Sequence, residues 1–434
     1  MTTAALHHRT SRNTRAPECP PPGEHRCCRS VAAVGAILAV GASVVAVNRS
    51  RTPGPVTAVS IAGSRWTYLP AAPIQGRTHA VGTWTGTQML IWGGATARQE
   101  KLFADGAAYD PATRDWSTLP SAPIAARIFP ASVWTGRSLF IWGGYTSSDA
   151  VGPADDGALY TPADHSWVTV ARAPVTGYQQ VVALRSSELV ILLSTPRGGD
   201  ANVVNVQSYA PSTNSWSRLP DLNLPAGHSV VQVSAIAVDD QIYLWSLWSH
   251  VTVVSPNETR GSSGIDGFTF DVPSHQWTAN TLAGPSVDSV SGPLWTGNQI
   301  LLPASQPFRG GRSGPFVTNR TGLTLNQADS ATSVIPHGPV DDLNPTYLWT
   351  GTALLAVNTQ TFMGGGPAGP SLPGQAAVWD PHTQIWVRLP DAPAGAADSP
   401  VTIWTGTSLL MWGEFARFDG VQSASQQTAG LQLG

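Results

Sequence analysis

The tripeptide Trp-Thr-Gly begins at Trp84, Trp134, Trp295, Trp349 and Trp404. Two degenerate copies, with Leu184 and Ala237 in the Trp place, fill the gap between the second and the third. Eight residues after each copy stands a second marker: Trp92, Trp142, Leu192, Trp245, Pro303, Val357 and Trp412. A constant offset in seven copies requires a local unit of fixed geometry. Two short apolar strands joined by a Thr-Gly turn fit it, because glycine supplies the positive φ of such a turn.

A second element follows the first. Aromatic pairs seven residues apart, Tyr109/Trp116, Tyr160/Trp167, Tyr209/Trp216, Phe270/Trp277 and Trp379/Trp386, flank turns such as Asp110-Pro111-Ala112-Thr113. Leu325 and Thr332 hold these places in an eroded copy. Pro presets φ and small polar side chains bond the backbone, which is turn chemistry between two strands. Each unit of about 50–60 residues therefore holds four strands: a (ending in Trp-Thr-Gly), b, c (aromatic) and d (opening with Trp). Four-stranded units at this period predict a β-propeller. The chain ends test the count. An isolated strand d at Trp66 comes first, and the last segment, 428–433, is a strand c with no d after it. The prediction is an all-β, seven-bladed propeller whose closing blade combines N-terminal strand d with C-terminal strands a–c, which removes an exposed edge. Composition agrees: 43 Gly, 36 Pro and 17 Trp suit short strands and tight turns, and 12% charged residues do not suit long surface helices.

The diglycines ending strand b, Gly93-Gly94 and Gly143-Gly144, and the Tyr–x6–Trp of strands c and d resemble kelch repeats over about residues 64–433. The diglycine is altered at Leu193-Ser194 and Gly413-Glu414. The resemblance implies a scaffold rather than an activity, since the fold hosts binding modules and enzymes alike. Galactose-oxidase-like copper enzymes resemble kelch propellers and need a Cys-crosslinked Tyr, but no Cys follows Cys28. The Ser-x-Asp-x-Gly boxes of sialidases are missing from the c–d turns, and hydrolase-elbow, zincin, dinucleotide and phosphate-loop motifs are absent. Asp155-Asp156-Gly157 and Asp266-Gly267 are too sparse for a calcium loop. The expectation is therefore no cofactor and no metal.

The N-terminus stands apart. Residues 1–30 form a basic tail expected to be disordered and cytoplasmic, and 31–47 is an uncharged apolar run. A linker (48–63) then leads to the propeller at 64–434. A basic flank before such a run reads as a membrane anchor or a cleaved secretory signal. Either places the propeller outside the cytoplasm, on a single-pass membrane protein or secreted. Cys19, Cys27 and Cys28 all lie in the tail. Residues 1–51 carry seven Arg against two Glu, leaving 17 basic and 25 acidic residues beyond. That acidic balance gives no reason to expect nucleic acid.

The a–b and c–d connections are uniform, whereas the b–c connections lengthen through inserts at 246–267, 304–321 and 358–375. Variable loops on a rigid scaffold carry recognition. The rim bearing the b–c and d–a loops is the expected binding face. Its candidate ligand-binding residues are Arg77, Arg127, His228, Trp248, Asp341, Asp342 and Asp398, with His79, Asp288 and Asn344 nearby. An Arg and carboxylate set at a propeller mouth suits a sugar or an acidic group. The alternative is that Arg77 and Arg127 make inter-blade hydrogen bonds or sit in solvent, and that His79 is a satisfied structural histidine. Of the 17 Trp, 16 fall on repeat positions and are expected to pack between blades; Trp248, in a b–c loop, is the exception. The reading is a monomeric propeller that binds extracellular protein or glycan. The alternative is a carbohydrate-active enzyme, such as an epimerase, lyase or oxidase-like protein, using rim Arg, His and Asp.

Overall fold

A computed structural model describes residues 63–434 apart from 97–98, 148–151, 174–177, 185–188, 196–201, 256–257, 281–288, 291, 306–319, 327–331, 337, 341–344, 358–373, 395–398 and 417–425. The described residues form seven antiparallel sheets. In blade 1, strands a–d are Val81–Trp84, Met89–Trp92, Gly106–Asp110 and Asp115–Thr118. Blades 2 and 3 begin at Ala131–Trp134 and Tyr178–Leu184, and blade 4 at Ser229–Val238. Blade 5 splits its strand a into Ser289–Val290 and Leu294–Trp295. Blade 6 begins at Thr346–Trp349 and blade 7 at Val401–Trp404. The outer strand of blade 7 is Trp66–Tyr68, which pairs with the C-terminal strand in the register Trp66↔Leu433 to Tyr68↔Leu431. The seven-bladed count and the closure both hold.

Local chemistry makes each hairpin. In blade 1 the Thr85 hydroxyl accepts from Gln88 N–H (2.9 Å), while Gly86 takes φ 105°. Thr135, Thr296, Thr350 and Thr405 make the same bond, and Gly136, Gly297, Gly351 and Gly406 the same turn. The c–d turns end on a non-glycine residue in the left-handed region: Arg114, His165, Asn214, His275 and Gln384.

Seams between blades form the core. Leu90, Trp92 and Ala108 of blade 1 pack on Trp134, Ile141 and Tyr160 of blade 2. Comparable clusters fill the other seams, including Leu410 and Trp412 of blade 7 against Met89 and Tyr109 of blade 1. The Trp opening strand d ties neighbours together through its indole N–H. Trp116 donates to Pro70 O (3.0 Å), Trp167 to Pro120 O (2.9 Å) and Trp216 to Ala171 O (2.6 Å). Trp277 donates to Pro220 O (2.9 Å), Trp386 to Pro336 O (2.9 Å) and Trp66 to Pro390 O (2.7 Å). Blade 5 carries Thr332 in this place, so the seam between blades 4 and 5 has no indole bond of this kind.

One insert departs from its reading as a loop. In blade 4, strands b and c run over Gln241–Ser255 and Glu258–Asp271, and their pairing continues from Gln241↔Asp271 to Ser255↔Glu258. Strand a follows this extension only as far as Ser229↔Ser249, and strand d pairs only with 267–271. The physical reason lies in residues 242–254, which mix β-branched and aromatic residues and contain neither Gly nor Pro. Most of the inserts at 304–321 and 358–375 lies outside the described residues. Among those residues, no helix is long and apolar enough to cross a membrane, and the apolar run 31–47 was not among them.

Candidate functional site

The rim arginines come first, because burial decides their role. Arg77 is 1% exposed and Arg127 0%. Arg77 donates to Gln75 O (2.9 Å), to Gly93 O (3.1 Å) and to Asp105 Oδ1 (2.7 Å). Its guanidinium lies 4.1 Å from the centre of the Phe103 ring. Arg127 repeats the pattern one blade on, with Ala125 O (2.9 Å), Gly143 O (2.7 Å) and Asp156 Oδ1 (2.8 Å). Each arginine thus pins the b–c loop of its own blade to its d–a loop. The two guanidiniums are held by separate aspartates, in separate blades, with no exposed surface. Both arginines therefore act as structural clamps, buried rather than in solvent, and their bonds join two loops of one blade rather than two blades. Burial pushes the Asp105 carboxyl up, but the Arg77 hydrogen bond and charge outweigh it and hold it below the usual value.

Near the entry to blades 1 and 2, His79 packs its ring on Phe129 (centroids 4.2 Å). Both residues sit at equivalent positions with positive φ, as does Ser399. Asp341, Asp342 and Asp398, with Asp288 and Asn344, lie outside the described residues.

Two candidates meet on blade 4. His228, from the d–a loop, stacks on the indole of Trp248 at 3.7 Å with 13° between planes. Its Nδ1 lies 2.6 Å from Asp266 Oδ2. Trp248 stands on the extended strand b rather than in a loop, directly opposite Gly264 of strand c. A Cβ on Gly264 would come within 2.6 Å of the indole Cζ2, so the glycine leaves room for the ring. His250, two residues further along the same strand, donates from Nδ1 to Gly227 O (2.8 Å). Because a carboxylate and a carbonyl only accept, both imidazoles carry their proton on Nδ1 in these bonds. In the neutral rings Nε2 is then the acceptor.

Cross-strand pairing places other groups on that face. Ser246 pairs with Asp266 and with Val233, so its side chain shares their side of the sheet. This is the side that packs on blade 3, since Ile242, Leu244, Phe268 and Val233 of blade 4 join Leu193 and Val206 of blade 3 in one cluster. Ser246 is 0% exposed, and its hydroxyl has no hydrogen-bond partner. The Trp248 indole N–H is also buried without one. Gln180 of blade 3 pairs with Leu193, faces the same seam and leaves Oε1 unpartnered.

Ser246, His228 and Asp266 are the residue types of a hydrolytic triad, but the geometry is not one. The serine is fully buried and makes no bond to the imidazole. What stands assembled is a carboxylate-oriented histidine with an aromatic wall. It can accept a hydrogen bond from a ligand or take a proton from one. Among the described residues no group of three or more His, Cys, Asp or Glu side chains could hold a metal. No protein-family model matches the chain, and no curated protein matches it.

Sequence reasoning named His228 and Trp248 but, having set Asp156 and Asp266 aside as too sparse for a calcium loop, gave no other role to Asp266, Asp105 and Asp156. A signal for the last two exists. Asp105 and Asp156 each stand four residues before the strand-c tyrosine, and Arg77 and Arg127 each seven before the strand-a tryptophan. Both occur in the two blades that keep the diglycine.

Proposed function

We propose that this kelch-like propeller is a binding or scaffolding module, monomeric and carried outside the cytoplasm by its N-terminal segment. It takes extracellular protein or glycan on the rim formed by the b–c and d–a loops. The observation that carries this reading is the asymmetry of blade 4. Its strands b and c span 15 and 14 residues, whereas those of blade 1 span 4 and 5. The same blade holds His228 and Trp248 together. Elaboration of one unit in a repeated scaffold is how recognition is localised on rigid folds. The membrane part rests on the basic flank and the uncharged run 31–47.

Binding of the full-length protein to arrays of glycans and of cell-surface proteins tests this. The expected result is capture on one class, lost when 250–261 are replaced by a two-residue turn in a variant that melts like the parent. Capture unchanged by that shortening would move recognition away from the tip of the blade 4 extension, and silence on both arrays would sink the reading. Fractionation of cells expressing the full chain, against one lacking 1–47, tests the tether: membrane association only of the former is expected.

A second reading, a carbohydrate-active enzyme, is favoured by one observation, the His228–Asp266 pair at 2.6 Å. An oriented imidazole of this kind is a general base in many active sites. Turnover of a sugar substrate that disappears in His228→Gln would move the protein into that class.

A further inference from the structure

We infer that His228 and Asp266 form a third clamp, the blade 4 counterpart of the two arginine–aspartate pairs. Its titratable donor makes the hold on the blade 4 extension tighten in mild acid and loosen above neutral pH. This holds whatever the rim binds.

The carboxylate occupies the same place in all three blades. Asp105, Asp156 and Asp266 each stand four residues before the strand-c aromatic, at Tyr109, Tyr160 and Phe270. Each is followed by a glycine that lies opposite the strand-b tryptophan, in the pairs Trp92↔Gly106, Trp142↔Gly157 and Trp245↔Gly267. In each blade a basic side chain from the d–a loop reaches that carboxylate: Arg77 at 2.7 Å, Arg127 at 2.8 Å and His228 at 2.6 Å. An aromatic ring from the b–c segment covers two of the three, Phe103 over Arg77 (4.1 Å) and Trp248 over His228 (3.7 Å). His228 stands nine residues before its strand-a marker, Ala237, where the arginines stand seven before theirs. A bulge at Val230/Gln232 absorbs one of the two extra residues.

What differs is the donor. A guanidinium keeps its charge at every pH a protein meets, whereas an imidazole changes charge between about pH 5 and 8. Both arginine side chains are 0% exposed, while His228 keeps 24% of its surface in solvent, so protons reach it. The neutral ring offers Asp266 a single uncharged N–H. A second proton, on Nε2, turns the same contact into an ion pair and the stacked ring into a cation over the Trp248 indole, and both interactions strengthen. The added hold is present while the imidazole is protonated and is lost as pH rises through the histidine range. Among the described residues, other charges nearby do not take over this role. On strand b, His250 donates Nδ1–H to Gly227 O (2.8 Å), a bond it keeps in either charge state. On the last strand of blade 3, Arg218 and Asp221 pair with each other at 2.6 Å.

Native-state hydrogen exchange of the full-length protein at about pH 5.5 and about pH 8, corrected for intrinsic exchange rates, tests the clamp. Protection of the amides of 246–250 and 264–266 should be about fivefold greater at the lower pH. The amides of 103–106, beside the permanently charged Arg77 clamp, are the internal reference and should show no such change. Asp266→Asn removes the anion and should level the two values at low protection. His228→Arg supplies the donor of blades 1 and 2 and should level them at high protection. His250→Gln should leave the difference intact. Should His228→Arg fail to fold, Asp266→Asn and His228→Gln carry the test. Equal protection of the wild type at both pH values overturns the inference. So does a pH dependence that survives Asp266→Asn, or one that vanishes in His250→Gln.

Discussion

At the scale of single residues, the two arginine clamps are a natural comparison experiment. Phe103 N donates to Gly94 O at 2.8 Å and Ala154 N to Gly144 O at 2.7 Å, so Phe103 and Ala154 occupy the same place in consecutive blades. Phe103 covers the Arg77 guanidinium with its ring and Arg77 Nη2 donates to Asp105 Oδ2 (3.3 Å), whereas Ala154 offers Arg127 no ring, and Arg127 Nη2 is buried without a hydrogen-bond partner. Ala154→Phe should therefore stabilise the protein by about 0.5–1.5 kcal/mol through apolar cover and a cation–π contact. A fall in the melting midpoint would show that the Arg127 pocket has no room for the ring. Asp105 makes an acid-side prediction. Its folded-state carboxyl titrates below the ordinary value, so its contribution is present above the unfolded pKa and is lost as pH falls through about 4 and below. Denaturant midpoints of Asp105→Asn should lie below wild type near neutrality and converge with it in acid. Parallel curves at every pH would count against the ion pair as the source.

At the scale of elements, the strand-d tryptophans and strand-c tyrosines explain why this sequence was readable. Spacing alone exposed the hairpins because Thr-Gly and the aromatic pair do their work within about eight residues. Five of the indole bonds reach 45–57 residues to the previous blade and the Trp66 bond reaches 324, and no local pattern names the acceptor. Trp167→Phe keeps the aromatic body and strands Pro120 O, so it should cost roughly 1 kcal/mol, against 3 or more for Trp167→Ala. Equal losses in urea unfolding would mean that the ring alone matters. Burial pushes the Tyr109 and Tyr160 hydroxyls up, and Tyr209 to about 12. Raised folded values stabilise the native state below pH 10, and this stability is lost as pH rises from about 10 through 12. Tyrosinate absorbance should thus appear together with loss of structure for these three, and ionisation in the intact fold would contradict their burial. The blade 4 extension was less legible. Its residues alternate like a strand, but a fixed repeat frame cast 246–267 as surplus loop. Asp266 stands 38 residues from His228, a pairing that only the sheet register creates.

At the scale of the whole molecule, a closed ring is as strong as its weakest seam. Closure itself is short: three residues, Trp66–Tyr68, complete blade 7, reinforced by Leu69 N–H to Gly430 O (2.8 Å) and the Trp66 bond to Pro390 O. That blade nevertheless has full packing on both sides, with Trp404 and Met411 against blade 6 and Trp412 against blade 1. Blade 5 does not. Its strand a is two fragments of two residues, Thr332 replaces the indole that would reach blade 4, and Leu325 replaces the strand-c aromatic. Local opening free energies follow buried apolar contact and backbone pairing. Native-state hydrogen exchange should therefore show strands a and d of blade 5 opening well below the global unfolding free energy, while Met89–Trp92 and Leu139–Trp142 exchange only by global unfolding. If Trp66–Tyr68 opens before blade 5, the ring is limited by its closure rather than by this seam, and the indole bonds count for less than the pairing of the terminal strand.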